Sequence, residues 1–290
     1  PMAQHESSTN DTPTIPVFDA EDLAALEQLI DDHEEEVIEE GETVRRKGIY
    51  LLPNLFTTGA LFAGFYAVIA AVQGDFEAAP IAIFFAMVFD GLDGRVARLT
   101  HTSSKFGAEY DSLSDMVSFG VAPALVIFMY ALEGLGKFGW SAAFVYLACA
   151  ALRLARFNTQ IDHDDGEHFT GLASPAAAAV IASGVWLAHD IGFTTPQSVP
   201  GELGIVLAFM TAIIGLGMVA NFKYPSFKGL DLRGRVPFVV ILLVVIGFSL
   251  VTLHPPTVFL VTFVVYALSS PVLSVIKKLK STGPAKPPEA

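Results

Sequence analysis

Long apolar blocks separated by short polar segments dominate the chain from Asn54 onward. Each block is roughly twenty residues long, which is the length a helix needs to cross about 30 Å of hydrocarbon. The pattern predicts eight membrane-spanning helices, at about 54–73, 78–98, 108–132, 140–158, 173–190, 202–221, 236–254 and 257–276. Only the segment His254–Pro256 separates the last two blocks, so we expect them to form a helical hairpin.

Composition supports this fold class. Hydrophobic residues make up 52% of the 290 residues and charged residues only 16%, which argues against a disordered chain and against an ordinary water-soluble enzyme. The single cysteine, Cys149, excludes an internal disulfide framework and a cysteine-rich metal site. We therefore predict an all-α integral membrane protein.

The first 44 residues have a different character. They hold fourteen of the 30 acidic residues and no Lys or Arg, whereas the remaining chain has 16 acidic and 17 basic residues. A run of like charges repels itself and buries too little apolar area to offset the entropy lost on ordering. We expect residues 1–44 to be a largely disordered acidic tail, residues 45–280 to form the membrane domain, and residues 281–290 to be a short C-terminal tail.

Basic residues are distributed unevenly between the two sides of this arrangement. Sixteen of the 17 Lys and Arg residues fall on one side of the eight predicted spans, and only Lys137 falls on the other. Because cytoplasmic loops carry the excess of Lys and Arg, the basic side is predicted to be cytoplasmic. Both termini then face the cytoplasm, and we expect a multi-pass protein of the inner membrane.

Four aspartates fall where the second apolar block ends and the third begins. Asp90 and Asp93 are three residues apart, and Asp111 and Asp115 are four apart. On a helix both spacings place the pair on one face, with Cβ atoms roughly 5–6 Å apart. An unpaired aspartate at the centre of a spanning helix costs on the order of 2.5–3.5 kcal/mol. We therefore expect these carboxylates to line a wet cavity and to share cations.

The chemistry of these groups suggests a metal-assisted site. Carboxylates are hard oxygen ligands that suit Mg²⁺, Mn²⁺ or Ca²⁺ rather than zinc, and such clusters commonly hold a phosphate or pyrophosphate. Small residues accompany the acids, namely Gly91, Gly94, Ala97 and Gly107. They would let a polar ligand approach the backbone closely, although close helix packing through small residues is an alternative.

Together these residues form the pattern D-x2-D-G-x2-A-R-x8-G-x3-D-x3-D, filled by Asp90, Asp93, Gly94, Ala97, Arg98, Gly107, Asp111 and Asp115. This pattern resembles the signature of the CDP-alcohol phosphatidyltransferase family, integral membrane enzymes of phospholipid synthesis. Four further segments, at 50–65, 111–124, 152–158 and 171–179, resemble the phosphatidylserine synthase branch of that family.

The resemblance implies a reaction in which CDP-diacylglycerol and L-serine give phosphatidylserine and CMP. It implies that Asp90, Asp93 and Asp111 bind a pair of metal ions, Mg²⁺ or Mn²⁺, and that Ca²⁺ can occupy the site without supporting turnover. Asp115 would complete the cluster and act as the base toward the serine hydroxyl. The same resemblance assigns the CDP pocket to Gly94, Ala97, Arg98 and Gly107. It also implies a homodimer in the bilayer, and no feature suggests a nucleic-acid partner.

Recognition of the acceptor is expected near the cytoplasmic end of span four. Arg153, Arg156 and Asn158 lie there, and arginine binds carboxylates and phosphates in a bidentate manner. The alternative for the two arginines is membrane anchoring by long basic side chains. Asn54, at the start of span one, is a candidate nucleotide contact or a helix cap.

Two other interpretations stay open at this point. Within the family, the acceptor could be glycerol-3-phosphate, inositol phosphate or choline. The first two would need more cationic groups, and choline would need an aromatic cage, which is not evident beside the motif. Outside enzymes, intramembrane aspartates are also typical of cation transporters, but these acids lie at span ends and no second half of the chain repeats them.

Overall fold

The computed structural model describes residues 34–39, 42–47, 51–100, 104–160, 168–225 and 238–281. These residues include eight long helices: α1 (Leu51–Val72), α2 (Ala78–Thr100), α3 (Lys105–Leu135), α4 (Lys137–Gln160), α5 (Ser174–Asp190), α6 (Gly201–Val219), α7 (Phe238–Leu253) and α8 (Pro255–Ser281). Each of the eight predicted apolar blocks coincides with one of them, and the all-α fold class is confirmed for the membrane domain.

Five of the described helices, α1, α3, α4, α6 and α8, are long and apolar enough to cross a membrane. The apolar part of α7, Val240–Leu253, is shorter. The α2 helix carries the charged residues of the acidic motif, and α5 has only 17 residues. The chain is thus a multi-pass membrane protein, and the count of eight spans stays a prediction.

The packing of these helices depends on small side chains. The α1 helix packs against α2 and α3, the α4 helix against α6, and the α5 helix against α2 and α8. Alanines occupy much of the buried core, including Ala67 on α1 and the run Ala176–Ala179 on α5. Because lipid provides no hydrophobic drive for helix association, close approach through small residues is what stabilises such contacts.

The third helix is irregular in a way that follows from Pro123. Two π-helical turns, Met116–Val121 and Phe128–Leu132, interrupt α3. Proline has no N–H, so the carbonyl of Phe119 loses its partner four residues later in the helix. The hydroxyl of Tyr146, which is fully buried on α4, donates to that carbonyl oxygen at 2.9 Å instead. The irregular turns begin directly after Asp115 and place it at the end of the regular first segment, Lys105–Asp115.

A short strand pair joins two loops at the end of the helical bundle where the four aspartates lie, and Gly171 sets its position. Strand β3 (His168–Thr170) pairs antiparallel with β4 (Lys223–Pro225). Gly171 follows β3 with a φ of +85°, and a Cβ atom there would lie 2.2 Å from the carbonyl oxygen of Met218. Only glycine fits this close approach, which brings the start of α5 against the end of α6.

The chain divides into two units between Ile49 and Tyr50, and residues 34–39 and 42–47 are the described part of the first unit. Within it, strand β1 (Glu34–Glu39) pairs antiparallel with β2 (Glu42–Lys47), and the register sets Glu34, Glu35 and Glu36 opposite Lys47, Arg46 and Arg45. Facing residues of opposite charge favour the pairing of two strands. The largely disordered tail expected up to residue 44 stays a prediction. Residues 1–33 and 40–41 of the predicted tail lie outside the described residues, as do residues 282–290 of the C-terminal tail.

Candidate active site

Three aspartates from two helices meet at one end of the bundle. Asp90 and Asp93 lie near the end of α2, and Asp111 lies in the second turn of α3. Each offers a carboxylate oxygen, and the three oxygens lie within 4.8 Å of one another. Asp93 is buried, with 5% of its surface exposed, while Asp90 and Asp111 are half-buried. Spacing in the sequence predicted each same-helix pair, and the packing of α2 against α3 brings the pairs together.

Asp115 joins this cluster from the next turn of α3. Its carboxyl group lies within hydrogen-bonding range of Asp90, and Asp93 and Asp111 are related in the same way. The four aspartates singled out by the sequence pattern therefore form two facing pairs across the α2–α3 contact. We call Asp90, Asp93, Asp111 and Asp115 the acid cluster.

The donor set of the acid cluster fits a divalent cation. Its ligand atoms are all carboxylate oxygens, which Mg²⁺, Mn²⁺ and Ca²⁺ prefer. Carboxylates at this separation repel one another unless protons or cations lie between them. Among the described residues, no other group of three His, Cys, Asp or Glu side chains lies close enough to hold a metal ion.

A cavity of about 230 Å³ opens beside the acid cluster. All the residues predicted to bind CDP line it, together with two aspartates of the cluster. Its lining consists of Pro53, Asn54, Thr57, Asp93, Gly94, Ala97, Arg98, Ser104, Gly107, Ala108 and Asp111. A Cβ atom on Gly94 would meet no other atom within 4 Å, so the missing side chain leaves open space beside the carboxylates.

The N-terminus of α3 also borders this cavity. Ser104 caps the helix, and its hydroxyl oxygen accepts a hydrogen bond from the Gly107 N–H at 3.0 Å. The backbone N–H groups and the dipole at a helix N-terminus favour negative charge. Gly107 leaves little room here, because a Cβ atom would lie 3.2 Å from the Ser104 hydroxyl oxygen and 3.6 Å from Oδ1 of Asn54.

Asn54 therefore belongs to the wall of the cavity. The α1 helix begins at Leu51, three residues earlier, so Asn54 is not the N-cap of that helix. This position excludes the capping role, and the nucleotide contact stays a prediction.

Thr57 is a site residue that the sequence analysis missed. Its hydroxyl donates to Oδ2 of Asp93 at 2.8 Å, and its carbonyl oxygen accepts from the Ser114 hydroxyl at 3.1 Å. One turn of α1 thus contacts both helices that carry the acid cluster. The available signal was the spacing from Asn54, since residues three apart share a helix face.

The three predicted acceptor residues on α4 have separate surroundings. Arg153 Nη1 donates to the hydroxyl of Ser174 at 2.8 Å, and its side chain lies near enough to Asp115 for the charges to interact. Arg156 donates to Oδ1 of Asn221 at 3.0 Å, and the Asn158 amide pairs with the Ser112 hydroxyl. Of the three, Arg153 is the one that the structure brings close to the acid cluster. The sequence had given no role to Ser112 or Ser174.

Arg98 supplies positive charge to the cavity lining. It lines the cavity one turn after Gly94, and its side chain is exposed. The site thus combines hard oxygen ligands, an open glycine-lined wall, a helix N-terminus and a guanidinium group. This combination can hold a phosphorylated ligand through a bridging cation, and it offers carboxylates that can accept a proton.

Comparisons with known proteins identify related sequences. The sequence model of the family described as CDP-alcohol phosphatidyltransferase matches residues 50–220. A CDP-diacylglycerol–serine O-phosphatidyltransferase of Helicobacter pylori strain J99 is 35% identical over 232 residues, which are 79% of this chain and 94% of that protein. An archaetidylserine synthase of Methanothermobacter thermautotrophicus is 34% identical and covers 62% of this chain and 71% of its own length.

Among solved structures, a Mycobacterium tuberculosis phosphatidylinositol phosphate synthase with CDP-DAG bound has a TM-score of 0.42. It is 19% identical and covers 64% of this chain and 90% of its own. The family match spans more than half of the sequence, and the Helicobacter relative is covered almost completely. The chain belongs to the CDP-alcohol phosphatidyltransferase family.

Proposed function

We propose that this protein transfers the phosphatidyl group of CDP-diacylglycerol to the hydroxyl of L-serine and releases CMP. The observation that carries the proposal is the meeting of the acid cluster with a cavity lined by Gly94, Ala97, Arg98 and Gly107. Two relatives whose names specify serine as the acceptor support the choice of substrate. Membership of a transferase family removes the support for a cation transporter.

The acid cluster would hold the metal ions of this reaction. Asp90, Asp93 and Asp111 would be the ligands, with Asp115 at the edge of the cluster, and Mg²⁺ or Mn²⁺ are the ions proposed. Bound there, the ions would neutralise the pyrophosphate and stabilise the departing CMP.

The residues of the chain would carry out the remaining tasks. Gly94, Ala97 and Gly107 would leave room for the nucleotide, and Arg98 would bind phosphate oxygens. The serine hydroxyl oxygen would attack the phosphorus bonded to diacylglycerol, and the bond from that phosphorus to the bridging oxygen would break. That oxygen would leave with the bonding electrons as part of CMP. Asp115 would take the proton from the serine hydroxyl as the new bond forms.

Arg153 is the residue proposed to recognise the acceptor carboxylate. It is near Asp115, so a serine bound between the two would present its hydroxyl to the base. Arg156 donates to Asn221 and Arg153 donates to Ser174, so the choice of Arg153 rests on its proximity to Asp115. Glycerol-3-phosphate or inositol phosphate would bring a dianion, and one nearby guanidinium suits a single carboxylate better. Asn158, bonded to Ser112, would help to orient α3 rather than bind serine directly.

Placement in the cell forms part of the proposal. The acid cluster lies at the end of the bundle that the charge distribution predicts to be cytoplasmic, at the inner membrane. Serine and the nucleotide would arrive from water, while the acyl chains would stay in the bilayer. The homodimer is proposed from the family resemblance alone.

The test is CMP release by the purified protein from CDP-diacylglycerol. Serine, glycerol-3-phosphate and inositol phosphate are supplied one at a time, each after EDTA treatment and again after Mg²⁺ or Mn²⁺ is added back. We expect release with serine only, and only with metal. Release with glycerol-3-phosphate but not with serine would overturn the choice of acceptor, and release in EDTA would overturn the metal dependence.

A further inference from the structure

Two hydrogen-bond donors contact the carboxylate of Asp93. The Thr57 hydroxyl donates to its Oδ2 atom at 2.8 Å, and the Gly94 N–H contacts its Oδ1 atom. A carboxylate has about four lone-pair sites, so each oxygen retains capacity for a cation after these bonds. The two donors fix the plane of the carboxyl group and therefore the direction of its free lone pairs.

Thr57 is itself held firmly. Only 3% of its surface is exposed, and its carbonyl oxygen accepts a hydrogen bond from Ser114 on α3. Its hydroxyl proton has two possible acceptors, Asp93 at 2.8 Å and the Pro53 carbonyl at 3.3 Å. The shorter distance favours Asp93. The hydroxyl of neighbouring Thr58 is exposed and lies 2.7 Å from the Asn54 carbonyl oxygen and 2.9 Å from the Tyr110 hydroxyl of α3.

We infer that Thr57 is a positioning residue for the metal site, which acts by orienting Asp93 toward the divalent cation. Partners that hydrogen-bond a metal ligand fix its orientation, and their loss commonly weakens metal affinity about 10–100-fold. In this protein the partner comes from α1, a helix that contributes no carboxylate to the cluster. The inference rests on the proposed function only in taking Asp93 as a metal ligand, and it does not depend on the acceptor.

The test measures Mn²⁺ binding to the full chain in lipid nanodiscs without substrate. The electron paramagnetic resonance signal of free Mn²⁺ reports how much of the ion stays unbound. Thr57→Val keeps the shape of the side chain and the carbonyl that Ser114 contacts, but it leaves Oδ2 of Asp93 without its donor. We expect Thr57→Val to raise the Kd for Mn²⁺ about tenfold or more. Thr57→Ser restores the hydroxyl and should bind nearly as the parent does. Thr262→Val on α8, where the exposed hydroxyl donates to the Val258 carbonyl at 2.7 Å, is the control.

Activity gives a second readout. With Thr57→Val, we expect turnover to recover as Mn²⁺ is raised, whereas a direct contact to CDP-diacylglycerol would leave a high KM at saturating metal. Thr57→Ala replaces Thr57→Val if the valine variant does not fold. If the parent protein binds Mn²⁺ and Thr57→Val binds it equally well, this inference is wrong and the proposed function is unaffected. A parent that binds no Mn²⁺ would instead overturn the metal site and the proposed function.

Discussion

Gly64 on α1 lies directly against Ser118 on α3. A Cβ atom at Gly64 would come within 2.5 Å of the Ser118 hydroxyl oxygen and 2.7 Å of its Cα atom. The Ser118 hydroxyl in turn donates to the carbonyl of Ala60 at 3.0 Å. The contact lies on the faces of α1 and α3 that carry Thr57 and Ser114, so it helps to set the position of the acid cluster.

Replacing Gly64 by alanine should therefore destabilise the protein. The added methyl group would clash with the backbone of Ser118. Overpacking of this kind destabilises a protein by about 1–3 kcal/mol. We expect the thermal midpoint in detergent to fall by roughly 2–4 °C per kcal/mol. Gly247→Ala on α7, where a Cβ atom meets nothing within 4 Å, is the control. Equal midpoints for the two variants would contradict the close contact.

Alanine variants of two glycines on α2 distinguish an effect on substrate binding from an effect on folding. Gly91 and Gly94 both have open space where a Cβ atom would lie, but only Gly94 lines the cavity. Both alanine variants should fold, since alanine favours a helix over glycine by about 1 kcal/mol. We expect Gly94→Ala to raise KM for CDP-diacylglycerol about tenfold and Gly91→Ala to leave it near the parent value. The same rise in both variants would count against the cavity as the nucleotide site.

Asp115→Asn tests the proposed base. Asparagine preserves the shape of the side chain but cannot take a proton from an alcohol, and a general base contributes about 10²–10⁴-fold to rate. We expect turnover to be lost while CDP-diacylglycerol still binds. The control is Asp75→Asn in the α1–α2 loop, where Oδ1 accepts from the Ala78 N–H at 2.9 Å and asparagine can do the same. Full turnover by Asp115→Asn would refute the assignment.

Tyr224 on β4 should make stability depend on alkaline pH. Burial, and secondly the neighbouring Tyr266, raises the pKa of Tyr224 from 10.0 to about 12. Its hydroxyl donates to the carbonyl of Ala267 at 2.7 Å. A phenol whose pKa is higher in the folded state contributes stability that is complete below pH 10 and is lost as the pH rises toward 12.

Tyr224→Phe therefore should melt at a lower temperature than the parent at pH 8, and the difference should shrink between pH 10 and pH 12. The measurement is the thermal midpoint of both proteins across this range. Tyr66→Phe, at an exposed position on α1, serves as the control. A difference that stays constant up to pH 12 would show that ionisation of Tyr224 does not affect folding.

The sequence predicted the helices well because span length and apolarity are local properties. It also predicted which aspartates share a helix face, since that follows from spacings of three and four. The pairing of Asp90 with Asp115 and of Asp93 with Asp111 depends on how α2 packs against α3, and one sequence does not contain that information. The same holds for Thr57, whose role arises only when α1 lies against Asp93.

Short elements were also beyond prediction from the sequence. The Tyr146 hydroxyl that bonds the Phe119 carbonyl of α3 comes from another helix, so the local sequence around Pro123 does not predict this contact. Strands β3 and β4 have three residues each and come from loops that are distant in sequence. Their pairing is set by the positive φ of Gly171 and its fit against α6, which is a tertiary property.

The most direct measurement gives the purified protein CDP-diacylglycerol and Mn²⁺ with equal concentrations of serine, glycerol-3-phosphate and inositol phosphate, and identifies the lipid product by mass spectrometry. We predict phosphatidylserine and CMP in equal amounts, and neither product from Asp111→Asn. A lipid product carrying glycerol phosphate or inositol phosphate, or full turnover by Asp111→Asn, would contradict the proposed reaction at the acid cluster.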